Sequence, residues 1–310
     1  MSSILVLGAG ELGTSILRAL SSQRQSHPEI ISSITVFIRH PSDPVPASKQ
    51  AQLQEFQDLS IKVVHGDIAS DSTEQLAEKF KEYDTVVCCT GFVGGKGTQV
   101  KITQAVLHAE VKRYVPWQFG VDYDLIGRGS GQDVWDEQLD VRDLLRSQST
   151  TSWIIISTGM FTSFLFEPAF GVVQLAKDKK PSSVVRALGS WDNRITFTTV
   201  EDIGHLTSLI LVQQPPIANS VVFIAGDTIS FEELVSVIES VSGKAVTRQL
   251  LDLEKLEKAV EEKPEDGMAK YRLAFGKGVG VAWDMDGTFN ARKKIEVVGV
   301  EGWARKNLRT

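Results

Sequence analysis

Cysteine is almost missing from this chain of 310 residues, which has only Cys88 and Cys89, side by side. Adjacent cysteines make poor disulfide partners, and neither a CxxC spacing nor a flanking base marks a redox thiol. They lie in the apolar run 85–90 and read as small, reduced core residues, as the cytosol allows. Positive charge is not in excess either. The net charge is −6, which leaves no basic footprint and excludes nucleic acid as an expected partner. Long apolar runs are also lacking. The most apolar stretch, 153–173, is broken by Ser, Thr, Gly, Glu167 and Pro168. It falls short of the roughly 20 predominantly apolar residues of a membrane helix. The apolar residues 4–7 are stopped at once by Gly8, with no basic segment followed by a long apolar stretch. No secretory signal and no membrane partner are therefore expected, and the expected location is the cytoplasm. Internal repeats and low-complexity tracts are absent.

The composition that remains is that of a globular protein, 42% hydrophobic and 23% charged, long enough for one large domain or two unequal ones. Short apolar runs alternate with amphipathic segments through the first half. The pattern predicts strands over 3–7, 34–38, 61–65, 85–89, 113–116 and 152–157. Helices are predicted over 12–22, 48–59, 72–80, 99–109 and 133–147. Strict alternation of this kind implies right-handed crossovers and a Rossmann-type, doubly wound parallel sheet. Residues 194–199, 200–212, 221–225 and 231–242 read as strand, helix, strand, helix. The expected division is a nucleotide-binding domain over 1–158, rejoined by strands from about 194–226, and a smaller α/β lobe over 159–310. Two loops are irregular: 40–48, and 120–132 with Gly127, Gly129 and Gly131.

The motif Gly8–Ala9–Gly10–Glu11–Leu12–Gly13 directly follows the first strand and opens the first helix. Gly8 permits the tight turn, Gly10 admits a pyrophosphate to the backbone, and Gly13 lets helix and strand pack closely. The helix start then offers N–H groups and a partial positive charge to the phosphates. A glycine-rich structural turn is the alternative. The second strand runs into Arg39, where an acid would suit the ribose hydroxyls of NAD and a basic residue suits the 2′-phosphate of NADP. A solvated surface arginine is the alternative there. His40, Ser42 and Lys49 are further candidates to assist Arg39 at the cofactor, an ordinary loop residue being the alternative for each. Asp67, after the third strand, is placed either to bond an adenine amino group or to cap the helix near Ser72. Thr90 and Gly91 end the fourth strand, where small residues let a ribose lie against backbone.

The glycine loop, Arg39, the run Val63–Val64–His65–Gly66–Asp67, and the run from Val111 through Pro116–Trp117–Gln118–Phe119–Gly120 carry a family resemblance. So do Gly159–Met160–Phe161, Val200–Glu201–Asp202–Ile203–Gly204 and Ser230–Phe231–Glu232–Glu233–Leu234. Together they resemble the NmrA-like and isoflavone-reductase-like branch of the atypical short-chain dehydrogenase/reductases, over nearly the whole chain. The resemblance implies NADP(H), a Rossmann domain, a smaller carboxy-terminal substrate domain, and hydride transfer to aromatic or phenylpropanoid-like metabolites. It also places the nicotinamide between Thr90–Gly91 and the loop 117–120, so that Gln118 and Phe119 would contact cofactor.

Two departures stand out. The family's reductases carry a catalytic lysine at the position matching Gln138, and no lysine occurs between Lys112 and Lys177. The pattern YxxxK is absent too. Glutamine can hold cofactor or polarise a carbonyl, but it does not titrate. The titratable candidates are Tyr123, Asp122, Asp136 and His205. Solvent or Tyr123 on the glycine-rich loop is the expected proton source. Trp117, Phe119, Trp135, Met160, Phe161, Phe164 and Phe166 are candidates for an aromatic substrate wall, core packing being the alternative for at least half of them. Trp283–Asp284–Met285–Asp286–Gly287 lacks the full spacing of a calcium loop and reads as a turn; no metal is expected. The expected partner is a small aromatic or polyketide-like molecule, and the expected state monomer or homodimer. Two other functions fit the same residues: an NADP-sensing regulator without turnover, and a non-redox isomerase, dehydratase or cyclase.

Overall fold

The computed structural model describes residues 1–42, 44–92, 94–176 and 182–308. In chain order the first elements are β1 (Ser2–Leu7), α1 (Glu11–Ser26), β2 (Ile31–Ile38), α2 (Ala47–Asp58), β3 (Lys62–His65), α3 (Thr73–Phe80), β4 (Thr85–Cys88), α4 (Thr98–His108) and β5 (Arg113–Val115). Next come α5 (Tyr123–Ile126), α6 (Asp133–Arg146), β6 (Ser152–Ser157), β7 (Met160–Phe161), β8 (Val173–Gln174), β9 (Ser183–Leu188), β10 (Arg194–Thr198) and α7 (Val200–Val212). The chain ends with β11 (Ser220–Phe223), β12 (Asp227–Ser230), α8 (Phe231–Ser242), β13 (Val246–Leu251), α9 (Leu253–Glu262), α10 (Gly267–Gly276), α11 (Phe289–Lys293) and α12 (Val300–Asn307).

Two compact units are built from interleaved segments. The first takes Met1–Gln118, Glu137–Ile156 and Ile203–Val222, and the second takes Phe119–Asp136, Ser157–Asp202 and Phe223–Thr310. The first unit holds a seven-stranded sheet ordered β11-β6-β5-β4-β1-β2-β3. The pairs from β6 across to β3 are all parallel. The order reverses between β1 and β4, which makes that point the topological switch where open α/β sheets take ligands. Of the two strands read within 194–226, β11 lies at the edge of this sheet. β10 instead pairs with β12 and β7 in the second unit.

Periodicity explains the helices. In α1, Leu12, Ile16, Leu17 and Leu20 are buried together with Ser21, while Glu11, Arg18 and Ser22 are exposed. Leu5, Leu7, Phe37, Phe80, Val86, Ile102, Val106, Tyr114, Val141 and Leu145 join in one core around the sheet. The second unit has two three-stranded sheets, β12-β10-β7 and β13-β9-β8. Residues 120–132 are less irregular than their composition suggests. The Asp122 carboxylate accepts from the N–H groups of Asp124 and Leu125 and caps the short helix α5. Met285–Gly287 forms a single 3-10 turn. Among the described residues no helix is long and apolar enough to cross a membrane.

An ion pair at the start of β1 gives a pH prediction. Asp84 accepts from the Ser3 N–H and hydroxyl, both at 2.9 Å, and from the Lys112 ammonium at 2.6 Å. The Lys112 contact, then the Ser3 N–H, pull its carboxyl from 3.8 down to about 2. The folded value lies below the unfolded one, so this stabilisation is complete above about pH 4 and is lost as pH falls towards 2. Lys112 is 80% exposed, so solvent screening limits the contribution to on the order of 1 kcal/mol. Asp84→Asn is expected to remove that part of the acid dependence in denaturant titrations run between pH 2 and 5.

Candidate functional site

The glycine loop joins β1 to α1 beside the switch point. Gly8 turns the chain with φ +91°, and its N–H donates to the Phe37 carbonyl of β2 at 3.0 Å. Gly13 packs so closely that a Cβ there would sit 2.2 Å from the Gly8 carbonyl oxygen. Gly10 is different. It is exposed, and a Cβ on it would meet nothing within 4 Å. It is the N-cap of α1 and supplies no side-chain cap, so open space lies over the backbone at the residue that starts the helix. Leu12 faces the core, 6% exposed, while Glu11 is exposed. This cradle fits a pyrophosphate on two counts, room for close backbone approach at Gly10 and a helix start whose N-cap residue brings no side chain.

Two cations flank the loop. Arg39 follows β2 and is exposed. Lys49, in the first turn of α2, is half-buried, and burial pulls its ammonium below the usual lysine range. Its hydrogen-bond partner is the neutral Gln52 Oε1 at 2.8 Å. Among the described residues no carboxylate lies within ion-pair distance of either cation. His40, next to Arg39, stacks on His65 with ring centroids 4.4 Å apart. Asp67 closes a local turn, its carboxylate accepting from the Ala69 N–H at 2.9 Å. Helix α3 is capped by Ser72 in a capping box with Gln75, so Asp67 is not its cap.

At the end of β4, the Gln99 side chain donates to the Gly91 carbonyl at 2.5 Å and the Thr90 hydroxyl at 3.3 Å. Trp117 packs edge-on to Phe92, with ring centroids 4.3 Å apart. Helix α4 starts at Gly97 without a side-chain cap of its own. The buried Glu137 carboxylate caps it instead, accepting from the N–H groups of Gly97 at 2.9 Å, Gln99 at 2.7 Å and Val100 at 3.2 Å. Gln118 is fully buried and doubly engaged. Its Nε2 donates to the Gln138 carbonyl at 2.8 Å, and its Oε1 accepts from Arg142 Nε at 2.7 Å. Gln138 follows Glu137 on α6 and is fully buried, yet among the described residues neither Nε2 nor Oε1 has a hydrogen-bond partner. A buried amide left unsatisfied on both atoms costs stability, which marks the position as one not chosen for packing.

The second unit carries the aromatic residues. Trp135 meets Tyr123, Tyr271 and Phe275 edge-on, at centroid distances of 6.0, 5.8 and 5.9 Å. Phe164 lies 4.7 Å from Phe170 and 5.9 Å from Tyr271. Tyr271 therefore bridges Trp135 and Phe164, two of the residues singled out from sequence. Burial pushes its phenol up to about 12, offset in part by a hydrogen bond from Trp135, so it stays protonated as a donor. Met160 is buried and Phe161 half-buried in β7, and Phe119 is buried. Phe166 stacks on Trp303. Tyr123 is buried, its hydroxyl 2.8 Å from where a Gly120 Cβ would stand. Of the other titratable candidates, Asp122 caps α5, Asp136 accepts from the Gly129 N–H, and His205 is exposed. Sequence reading passed over Gln52, Gln99, Glu137, Arg142 and Tyr271. None sits in a motif, and only the folded chain brings each to its partners.

Sheet order, switch point and glycine loop define a Rossmann-type α/β protein. The chain belongs to the NmrA-like family, which residues 1–294 match. It is 44% identical over 307 residues to an NmrA-like family domain-containing oxidoreductase of Gibberella moniliformis, covering 98% of this chain and 97% of that one. Its fold is similar to that of a solved isoflavone reductase, with TM-score 0.78, 21% identity and 99% of each chain covered. It is also similar to AtPrR2 solved with NADP+ and (+)pinoresinol, with TM-score 0.77, 19% identity and 99% of each chain covered.

Proposed function

We propose that the chain is an NADPH-dependent reductase of a small aromatic or polyketide/phenylpropanoid-like metabolite. The observation that carries the reading is the glycine loop, where Gly10 stands in open space as the N-cap of α1. Two cations without carboxylate partners among the described residues, Arg39 and Lys49, suit the additional phosphate of NADP(H) over NAD(H). The name of the Gibberella relative and the NADP+ complex of a fold neighbour point the same way.

Bound NADPH would supply a hydride. Gly8, Gly10, Glu11, Leu12 and Gly13 would hold its pyrophosphate, Arg39 and Lys49 its 2′-phosphate, and Asp67 its adenine end. Thr90, Gly91 and Gln118 of the first unit would line the nicotinamide end, with Gln99 fixing the Thr90–Gly91 turn. Trp135, Met160, Phe161 and Phe164, all in the second unit, would supply an apolar wall for the substrate. Tyr271 would donate its phenolic hydrogen bond to a substrate oxygen. Tyr123 or solvent would return the proton, and Gln138 would hold cofactor or substrate without titrating.

The test uses NADPH carrying deuterium at C4 of the dihydronicotinamide and a panel of aromatic enones, isoflavones and benzylic ethers. Deuterium recovered on a product carbon supports the reductase. Product formed with cofactor stripped away means a non-redox isomerase, dehydratase or cyclase. One observation favours a second reading: Gln138 is fully buried and does not titrate, which suits a protein that senses NADP(H) without turnover. Tight NADPH binding with no deuterium transfer to any candidate would support it.

Gln138 itself gives an expected result. Gln138→Leu removes two unsatisfied buried atoms, so stability should rise by about 1 kcal/mol in thermal melts. Turnover should fall about tenfold, more than for Gln138→Ala, because the partner group in the complex would face an apolar branch. Unchanged turnover in both variants would reduce Gln138 to a packing residue.

A further inference from the structure

Helix α2 buries only Phe56, yet one of its other side chains is committed on both polar atoms. Gln52 Nε2 donates to the Ala9 carbonyl at 2.8 Å and to the Thr14 hydroxyl at 3.1 Å. Thr14 Oγ1 also donates to Ala9 O, at 3.3 Å. Gln52 Oε1 accepts from Lys49 Nζ at 2.8 Å. Ala9 stands between Gly8 and Gly10. A single amide thus ties the glycine loop, 43 residues away, to a half-buried ammonium one turn back on its own helix.

The direction of this link is fixed. An amide presents a donor at one end and an acceptor at the other. With Nε2 on Ala9 O, the oxygen must face Lys49; flipped, it would set oxygen against oxygen and N–H against ammonium. Because the partner is neutral, the Lys49 charge is left uncancelled for an anion.

We propose that Gln52 is a specificity-determining residue for the cofactor, fixing Lys49 for the 2′-phosphate and coupling that contact to the pyrophosphate loop. This rests on the NADP(H) reading above. Lys49 positioned by Gln52 loses less side-chain freedom on meeting a phosphate. An ammonium drawn toward that phosphate also acts, through one amide, on the carbonyl between the first two glycines. A strut with a purely structural role would serve NADPH and NADH equally.

The experiment is calorimetric titration of NADPH and of NADH into the full chain and four variants, each checked by thermal melting. Gln52→Met keeps the side-chain length and removes all three of its hydrogen bonds. Gln52→Glu places a carboxylate against Lys49 and sets lone pairs against the Ala9 carbonyl. The others are Lys49→Ala and the double variant Lys49→Ala/Gln52→Met. Gln52→Met should weaken NADPH about tenfold and NADH no more than about threefold. Gln52→Glu should weaken NADPH further still, because it cancels the charge the phosphate needs. Once Lys49 is gone, Gln52→Met should no longer discriminate between the two cofactors. Equal losses for both cofactors, or strictly additive NADPH losses in the double variant, would overturn the coupling while leaving the cofactor reading intact. Failure of the unmutated protein to bind NADPH would overturn both.

Discussion

Gly10→Val is expected to weaken NADPH binding at least about a hundredfold while the melting temperature falls by no more than about 3 °C. The two effects separate because Gly10 stands in open space. Its backbone is extended, with φ −73° and ψ −165°, which valine adopts without strain, and no atom lies within 4 Å of the added Cβ. The only folding cost is a poorer N-cap, since glycine is tolerated there better than valine. The branched side chain would instead fill the space over the first turn of α1, where a pyrophosphate must approach the backbone. Calorimetry and a melting curve on the same preparation check the result. A variant that binds NADPH as tightly as the parent would mean that no pyrophosphate lies on this loop.

Gly13→Ala should do the opposite, lowering stability and binding together. Its Cβ would stand 2.2 Å from the Gly8 carbonyl oxygen, 3.0 Å from the Gly8 carbonyl carbon and 3.3 Å from the Cys89 Cβ. Two of these three atoms are backbone, so no rotamer change relieves the contact. Helix α1 must move away from the turn that starts it. Overpacking of this kind costs about 1–3 kcal/mol, against a gain of about 1 kcal/mol from alanine's better helix propensity. The shift displaces the N–H groups that would face the phosphates, so NADPH affinity should fall about a hundredfold as well. Denaturant unfolding and calorimetry read the two losses. A stable Gly13→Ala protein with unchanged affinity would contradict the close packing of α1 on β1.

These two glycines also illustrate what sequence can carry. The motif, its place after β1, and the alternation of apolar runs are local signals, and the elements from β1 to β6 follow them to within a few residues. The positions of Arg39, after β2, and Lys49, on α2, follow from the same local signals. Pairing of strands is not a local property. The segments that became β10 and β11 both read as strands, but only tertiary contacts decide that β11 joins the large sheet and β10 does not. The same limit hid the polar supports. Glu137 caps a helix start up to 40 residues away, and Arg142 holds Gln118 across 24 residues. Helix α5 is four residues long, too short for any periodicity to show. Tyr271 lies in α10, whose sequence shows no motif, and only the fold sets it between Trp135 and Phe164.

In the proposed reading, NADP(H) binds this Rossmann unit with Arg39 at its 2′-phosphate. The most direct measurement is calorimetric titration of NADPH and NADH into the unmutated protein and into Arg39→Ala. NADPH should bind the unmutated protein at least about tenfold more tightly than NADH, because charge-assisted hydrogen bonds to phosphate are worth about 1.5–3 kcal/mol. Arg39→Ala should abolish most of that difference by weakening NADPH while leaving NADH nearly unchanged. Tighter binding of NADH by the unmutated protein, or equal losses for the two cofactors on removing Arg39, would contradict the account.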